Sequence, residues 1–232
     1  MAGDPRFEMQ IDFAAKELTV KLVYYGPALS GKTSNLRAIH WLGTSNACGD
    51  LMTLETKNDR TLFFDMLPIT VSSGSGLKVR LKLFTVPGQV MHNATRRLVL
   101  QGTDGVAFIA DSQRSEADAN RESFLNLKCN LEENAIDPER IPIIIQFNKR
   151  DMASIRTDEE LELIAQRSRE PIYKAVATRG YGVMQTLRGL IRDTWTKLEE
   201  DHELEEKFGI SPIHFMTEVE AKLKHDPGPR GR

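Results

Sequence analysis

The chain has 232 residues and little cysteine: two, Cys48 and Cys129, far apart and in no metal-ligand spacing. That excludes a disulfide framework and fits a reducing compartment. It also lacks a charge excess. Thirty-one Lys and Arg face 33 Asp and Glu, a net charge of −2, with a sequence pI near 6.2. No strongly basic face is implied, so nucleic acid is not an expected partner. Long apolar runs are missing too. Stretches such as "IPIII" are strand-length and too short to span a bilayer. "MAGDPRFEMQ" has no basic segment followed by an apolar one, and "PGPRGR" has no prenylation cysteine. No signal peptide, lipid anchor or integral membrane association is expected. A cytoplasmic protein follows, reaching a membrane only through a partner. No internal repeat or low-complexity segment is visible.

What is present is 40 % hydrophobic and 28 % charged residues, the balance of a soluble globular protein long enough for one α/β domain with something left over. β-Branched runs alternate with helix-period segments. "LTVKLVYYG" (18–26), "GVAFIA" (105–110), "IPIIIQF" (141–147) and "IYKAVA" (172–177) read as strands. Residues 32–42, about 115–135 and 158–167 read as helices, and a last helix starts near Gly182-Val183. "LFFDMLPITV" and "LKVRLKLFTV" flank "SSGSG" and predict a hairpin, the second with Leu77, Val79, Leu81 and Leu83 on a buried face. The expected fold is a mostly parallel sheet with one antiparallel hairpin and helices on both faces.

Two motifs carry chemistry. "GPALSGKT" (26–33) matches G-x-x-x-x-G-K-[ST] between a strand and a helix. In that pattern, backbone N–H groups from Gly26 through Ala28, Leu29, Ser30 and Gly31 to Ser34 cradle phosphates. Lys32 neutralises charge, and the Thr33 hydroxyl binds magnesium. The bland alternative is a strand–helix turn with a surface lysine. "QFNKRD" (146–151) ends a buried strand and contains N-K-x-D, the guanine-reading pattern. The Asp151 carboxylate can accept from two adjacent guanine N–H groups that adenine lacks. Asn148 would tie the loop to the phosphate cradle, and the Lys149 stem would cover the base. In "AVAT", Val176 lines the base site and the Ala177 N–H is a candidate partner for the guanine carbonyl.

These stretches, with "DRTLFFDMLP", "TVPGQV", "DGVAFIADSQ" and "GYGV", resemble the bacterial Ras-like GTPases of the MglA family (mutual gliding protein A) over roughly residues 17–198. The resemblance implies the P-loop small G-protein fold, GTP/GDP and Mg2+ as ligands, and GTP hydrolysis to GDP in a polarity or motility switch. It implies a monomer regulated by a dimeric Roadblock/LC7-type activating protein (MglB), downstream effectors, and recruitment by partners to a cell pole or the inner membrane. On the family pattern Thr61 is the first-switch threonine that senses the γ-phosphate through magnesium. Gly88 is the second-switch glycine, Gln89 orients the attacking water, and Arg60 is an arginine finger in cis. A cis arginine makes physical sense, because hydrolysis spreads negative charge over the γ-phosphoryl oxygens. Read alone, Arg60 is as well explained as a solvated loop residue.

Two positions depart from the general Ras-like pattern. "TVPGQ" carries Thr85 where a switch aspartate normally sits near the metal, although this is the MglA version of the motif. Ala28 stands where a glycine is usual, which predicts slower hydrolysis with retained binding and leaves open a slow or non-hydrolysing GTP-binding scaffold. A different P-loop enzyme is the third reading, opposed by Asn148, Lys149 and Asp151. Residues 1–199 are expected to form the GTPase domain, and 200–232 an acidic helical extension with a disordered end. In that extension "LEEDHELEEKF" would continue the last helix. Ser211 and Pro212 would open another whose stripe of Ile213, Met216, Val219 and Leu223 either packs on the domain or docks a partner.

Overall fold

The computed structural model describes residues 10–12, 16–44, 47–55, 63–72, 76–89 and 92–223. Arg60, Thr61, most of the "SSGSG" loop and the last nine residues lie outside them. In chain order the strands are β1 (Gln10–Asp12), β2 (Glu17–Tyr25), β3 (Met52–Glu55), β4 (Phe63–Ser72), β5 (Lys78–Thr85), β6 (Gly105–Asp111), β7 (Ile143–Asn148) and β8 (Ile172–Lys174). The helices are α1 (Lys32–Leu42), α2 (Asn93–Leu100), α3 (Ala117–Glu133), α4 (Asp158–Ala165), α5 (Val183–His202), α6 (Leu204–Phe208) and α7 (Pro212–Lys222).

Seven strands run in the order β3-β4-β5-β2-β6-β7-β8, and β1 pairs with β2. The pairs β5–β2, β2–β6, β6–β7 and β7–β8 are parallel, whereas β3–β4 and β4–β5 are antiparallel. The expected hairpin is therefore β4–β5. On β5, Val79, Leu81 and Leu83 are buried while Lys78 and Arg80 are exposed, because alternate side chains leave opposite faces of a strand. On β2 the same alternation feeds both faces. Leu18, Val20, Leu22 and Tyr24 enter one core with α1 and α5, and Val23 and Tyr25 enter another with α2, α3 and α4. Near the middle of this sheet the chain order reverses around β2, and such crevices at the carboxyl ends of parallel strands are where α/β sheets bind ligands.

The strand and helix expectations hold, with boundaries that differ by a few residues. Three elements add to them: β1, β3 and α2. The tail corrects two expectations. Helix α5 does not run on through the acidic stretch. It stops at Glu203, which takes a left-handed φ of 54°, and α6 starts afresh. Helix α7 has the expected cap, with Ser211 Oγ accepting from the His214 N–H at 3.3 Å and Pro212 in the first turn. Its apolar stripe packs on the domain's own core through Met216, Val219 and Leu223 as expected, but Ile213 is 81 % exposed and Phe215 is buried in its stead. Phe215 stacks on Trp195 of α5 with ring centroids 3.7 Å apart. That stack selects the phase, since a flat indole face offers more contact than the isoleucine would find. Thr44 Oγ1 donates to the Lys222 carbonyl at 3.1 Å, and an Arg188 N–H donates to the Leu223 carbonyl at 2.8 Å. Gly43, the residue after α1, pairs with Leu223.

Candidate functional site

The cradle starts where β2 ends. Gly26 has φ 145° and Gly31 φ 101°, values that L side chains rarely adopt. Space forbids a side chain as well. A Cβ on Gly26 would lie 2.3 Å from the Ile109 carbonyl oxygen, and one on Gly31 would lie 2.1 Å from Asn148 Nδ2. Leu29 sits at the loop tip with φ 60° and an exposed side chain, and Ala28 is exposed beside it. Gly31 precedes α1, whose first turn holds Lys32, Thr33 and Ser34 with free N-terminal N–H groups and no capping side chain. Ser30 is fully buried, and its Oγ has no hydrogen-bond partner.

Lys32 bends back over this loop. Its Nζ donates to the carbonyls of Gly26 at 3.0 Å and Pro27 at 2.6 Å. Burial, with a smaller push from nearby Arg96, pulls its pKa from 10.5 down to about 7. A buried ammonium held only by carbonyls is short of negative charge. Together with the orphan Ser30 hydroxyl and the uncapped helix, this is the chemistry that a phosphate group completes.

The second switch lies against the cradle. A Cβ on Gly88 would fall 2.4 Å from Ala28 Cα and 3.0 Å from Lys32 Nζ. Gln89 follows and is exposed. Sequence reasoning missed the residue that holds this turn. Arg96 of α2 is 2 % exposed, donates to the Pro87 carbonyl at 2.9 Å and to the Gly88 carbonyl, and lies over the Tyr25 ring. Its third group donates to Asn126 Oδ1 at 2.8 Å. No motif announces it, because "NATRRLVL" reads as an ordinary amphipathic run.

The base loop sits across the cradle from this turn. Asn148 ends β7, and its Nδ2 donates to the Ser30 carbonyl at 2.8 Å, the expected tie between loop and cradle. Its Oδ1 accepts from the Ala177 N–H at 2.9 Å. The Ala177 N–H, the expected partner of a guanine carbonyl, is committed here to Asn148. Val176 beside it is buried. Lys149 takes a left-handed φ of 63°, and its Nζ pairs with the buried Asp111 carboxylate at 2.6 Å. The ion pair pins the far end of the side chain, which leaves the stem as a flat apolar strip. Asp151 is exposed, with Arg179 3.6 Å away. Beneath the loop, Gln146 and Asn35 exchange two amide hydrogen bonds of 2.9 and 3.0 Å, and Gln146 donates to Thr186 Oγ1 at 2.8 Å. All three residues are fully buried, so β7, α1 and α5 are cross-linked directly below the site.

On the metal side, Thr33 Oγ1 donates to Asp65 Oδ2 at 2.6 Å. Thr53 Oγ1 donates to Asp65 Oδ1 at 2.9 Å. Thr85 accepts from the Asp65 N–H at 2.8 Å and donates back to Oδ2 at 3.3 Å. Among the described residues no group of three or more His, Cys, Asp and Glu is placed to hold a metal ion. The oxygen set of Thr33 fits magnesium, a hard cation that uses one or two protein oxygens and substrate phosphates rather than a protein cage. Thr61, the other expected ligand, and Arg60 lie outside the described residues.

A phosphate cradle between strand and helix, bridged by one asparagine to a base loop at the same sheet end, defines the Ras-like class of P-loop proteins. No family model matches the chain. The chain is 44 % identical over 190 residues to the mutual gliding-motility protein MglA of Myxococcus xanthus (strain DK1622), covering 82 % of this chain and 97 % of that protein. It belongs to the MglA family of small GTPases. Among the described residues no helix is long and apolar enough to cross a membrane.

Proposed function

We propose that this chain is a guanine-nucleotide switch that hydrolyses GTP to GDP and acts in cell polarity or gliding motility. The observation that carries it is Asn148, which joins the phosphate cradle at Ser30 to the base corner at Ala177. A single nucleotide spanning both halves gives that bridge its purpose. Asp151 supplies the guanine choice and Lys149 a face for the ring. Lys32, Ser30 and the α1 N-terminus take the phosphates, and magnesium held by Thr33 and Thr61 would neutralise developing phosphate charge. Gln89 orients water and Arg60 supplies positive charge to the transition state. A Roadblock/LC7-type dimer is the activating partner this reading takes, on the resemblance to the MglA family. Residues 200–232 extend the GTPase domain of residues 1–199.

The slow-turnover reading rests on residue type: Ala28 stands where a glycine is usual, and its backbone lies against Gly88. Gentle purification followed by identification of the retained nucleotide, then single-turnover hydrolysis with and without a Roadblock-type partner, tests both readings. GDP or GTP retained, with partner-stimulated turnover lost in Gln89→Leu, is the expected result. Preference for ATP sinks the proposal. Equal slow rates for wild type and Gln89→Leu in both conditions leave the scaffold. Arg60→Ala should keep affinity and lose stimulation.

A further inference from the structure

The nucleotide reading leaves one buried charge without a task. Arg96 of α2 is buried, and none of the described ion pairs involves it. Its three nitrogens all donate to neutral oxygens: Nε to the Pro87 carbonyl at 2.9 Å, Nη2 to the Gly88 carbonyl and Nη1 to Asn126 Oδ1 at 2.8 Å. Such oxygens satisfy the protons of a buried guanidinium without cancelling its charge, and an apolar side chain would fill the same place at lower cost. A second cation is near. After burial itself, Arg96 is what lowers the Lys32 pKa. The guanidinium is also firmly seated, because Asn126 Oδ1 accepts from the Tyr25 hydroxyl at 2.6 Å and from Asn130 Nδ2 at 3.1 Å as well.

The fork grips two successive carbonyls, and that fixes more than the carbonyls. In a planar trans peptide the C=O and the N–H point to opposite sides. With the Pro87 and Gly88 carbonyls turned to Arg96, the N–H groups of Gly88 and Gln89 turn away from it. The cradle lies against the same turn, since a Cβ on Gly88 would meet Ala28 and the Lys32 ammonium. Two successive N–H groups on one side of a turn make a seat for an anion. Lys32 is the cradle side chain that reaches the terminal phosphates. We propose that Arg96 is a positioning residue for the terminal phosphate of GTP. By holding the Pro87 and Gly88 carbonyls, it presents the Gly88 and Gln89 N–H groups beside Lys32, where GTP carries one phosphate more than GDP. Arg96 itself touches no phosphate. It acts through the turn, and so governs how strongly the second switch prefers GTP to GDP.

This proposal rests on the chain binding guanine nucleotides, and the test separates the two ideas. Affinities for GDP and for the hydrolysis-resistant imido analogue of GTP are measured for wild type, Arg96→Met and Arg96→Lys. Melting curves of each check folding. Methionine keeps the apolar bulk and removes the fork, whereas lysine keeps the charge but cannot grip two carbonyls in one plane. Both variants should bind the GTP analogue about tenfold or more weakly, with GDP affinity changed by less than about threefold. An unchanged ratio of the two affinities in both variants overturns the proposal, as do affinities that fall equally for both nucleotides. A wild-type ratio in Arg96→Lys alone also overturns it, since the charge and not the fork would then act. If neither variant folds, Asn126→Ala takes their place, because it removes the seat of Nη1. A weakened preference for the GTP analogue there supports the proposal, and an unchanged one overturns it. A wild-type chain that binds neither nucleotide removes the functional reading itself, and one that binds both leaves that reading standing whatever Arg96 does.

Discussion

The base corner and the phosphate corner of this site are built from opposite kinds of bonds. At the base corner the ties beneath the loop join parts of the protein that a nucleotide leaves in place: Asn148 to Ser30, Lys149 to Asp111, Gln146 to Asn35 and Thr186. At the phosphate corner the bonds are ones a nucleotide must replace. Lys32 spends its protons on the carbonyls of its own loop, and Thr33 donates to Asp65. A preorganised half holds its partner at low entropic cost, and a half that must exchange bonds reports on what is bound. A switch needs both, because affinity must survive while the terminal phosphate changes.

The largest expected effect separates the corners. Asp151→Ala removes two hydrogen bonds to a charged group, about 3–6 kcal/mol in all, so guanine nucleotide affinity should drop on the order of 10²–10⁴-fold. Asp151 is exposed, so the melting temperature of the nucleotide-free chain should hardly move. Competition against labelled GDP measures the first, and a thermal scan the second. Asn148→Ala should do what Asp151→Ala does not. It strands the Ser30 carbonyl and the Ala177 N–H, each worth about 1–3 kcal/mol when buried and unpaired, and should weaken the empty chain in urea unfolding. An unchanged urea midpoint would mean the base corner is not preorganised.

The phosphate corner should show its exchangeable bonds as protons. In the empty chain Lys32 titrates near 7 rather than 10.5, so between those values it is mostly neutral. Its unfolded counterpart still binds a proton there, so this group makes the empty fold gain stability as pH rises through that window. Phosphates restore the charge. GDP binding near pH 8.5 should therefore take up close to one proton, and affinity should fall by at most about tenfold per pH unit above 7. Calorimetry in two buffers of different ionisation heat reads the proton, and no uptake would place Lys32 charged throughout. The smallest effect belongs to Ser30→Ala. The empty chain should change by no more than about 0.5 kcal/mol, since the hydroxyl has no partner, and GDP affinity by about 0.5–1.5 kcal/mol.

Much of this was legible in the sequence where the chemistry is local. Gly26 to Thr33 and Asn148 to Asp151 each lie in one short stretch, and the turns at Gly26 and Gly31 are written in residue type, though the left-handed Leu29 and Lys149 are not. Other parts depend on registers the chain does not print. Asp65 lies 20 residues before Thr85, and only the β4–β5 pairing brings them together. Arg96 needs the path of the second switch before its burial means anything. In α7 the apolar spacing places Met216, Val219 and Leu223 on the packed face but takes Ile213 for Phe215, because both suit an apolar stripe and only Trp195 decides between them.

Helix α1 has a property that neither of its ends reveals alone. It begins in the cradle at Lys32 and finishes at Leu42, one residue before Gly43 meets Leu223 of the tail. At 1.5 Å per residue it is a strut about 16 Å long between the phosphates and the C-terminal segment. A shortened chain that ends before Phe215 would bare the Trp195 face and free one end of that strut. The Thr44 and Arg188 contacts to backbone carbonyls would go with it. In engineering terms the last helix is a foundation bolt for the beam that carries the cradle, not trim to be cut away for convenience.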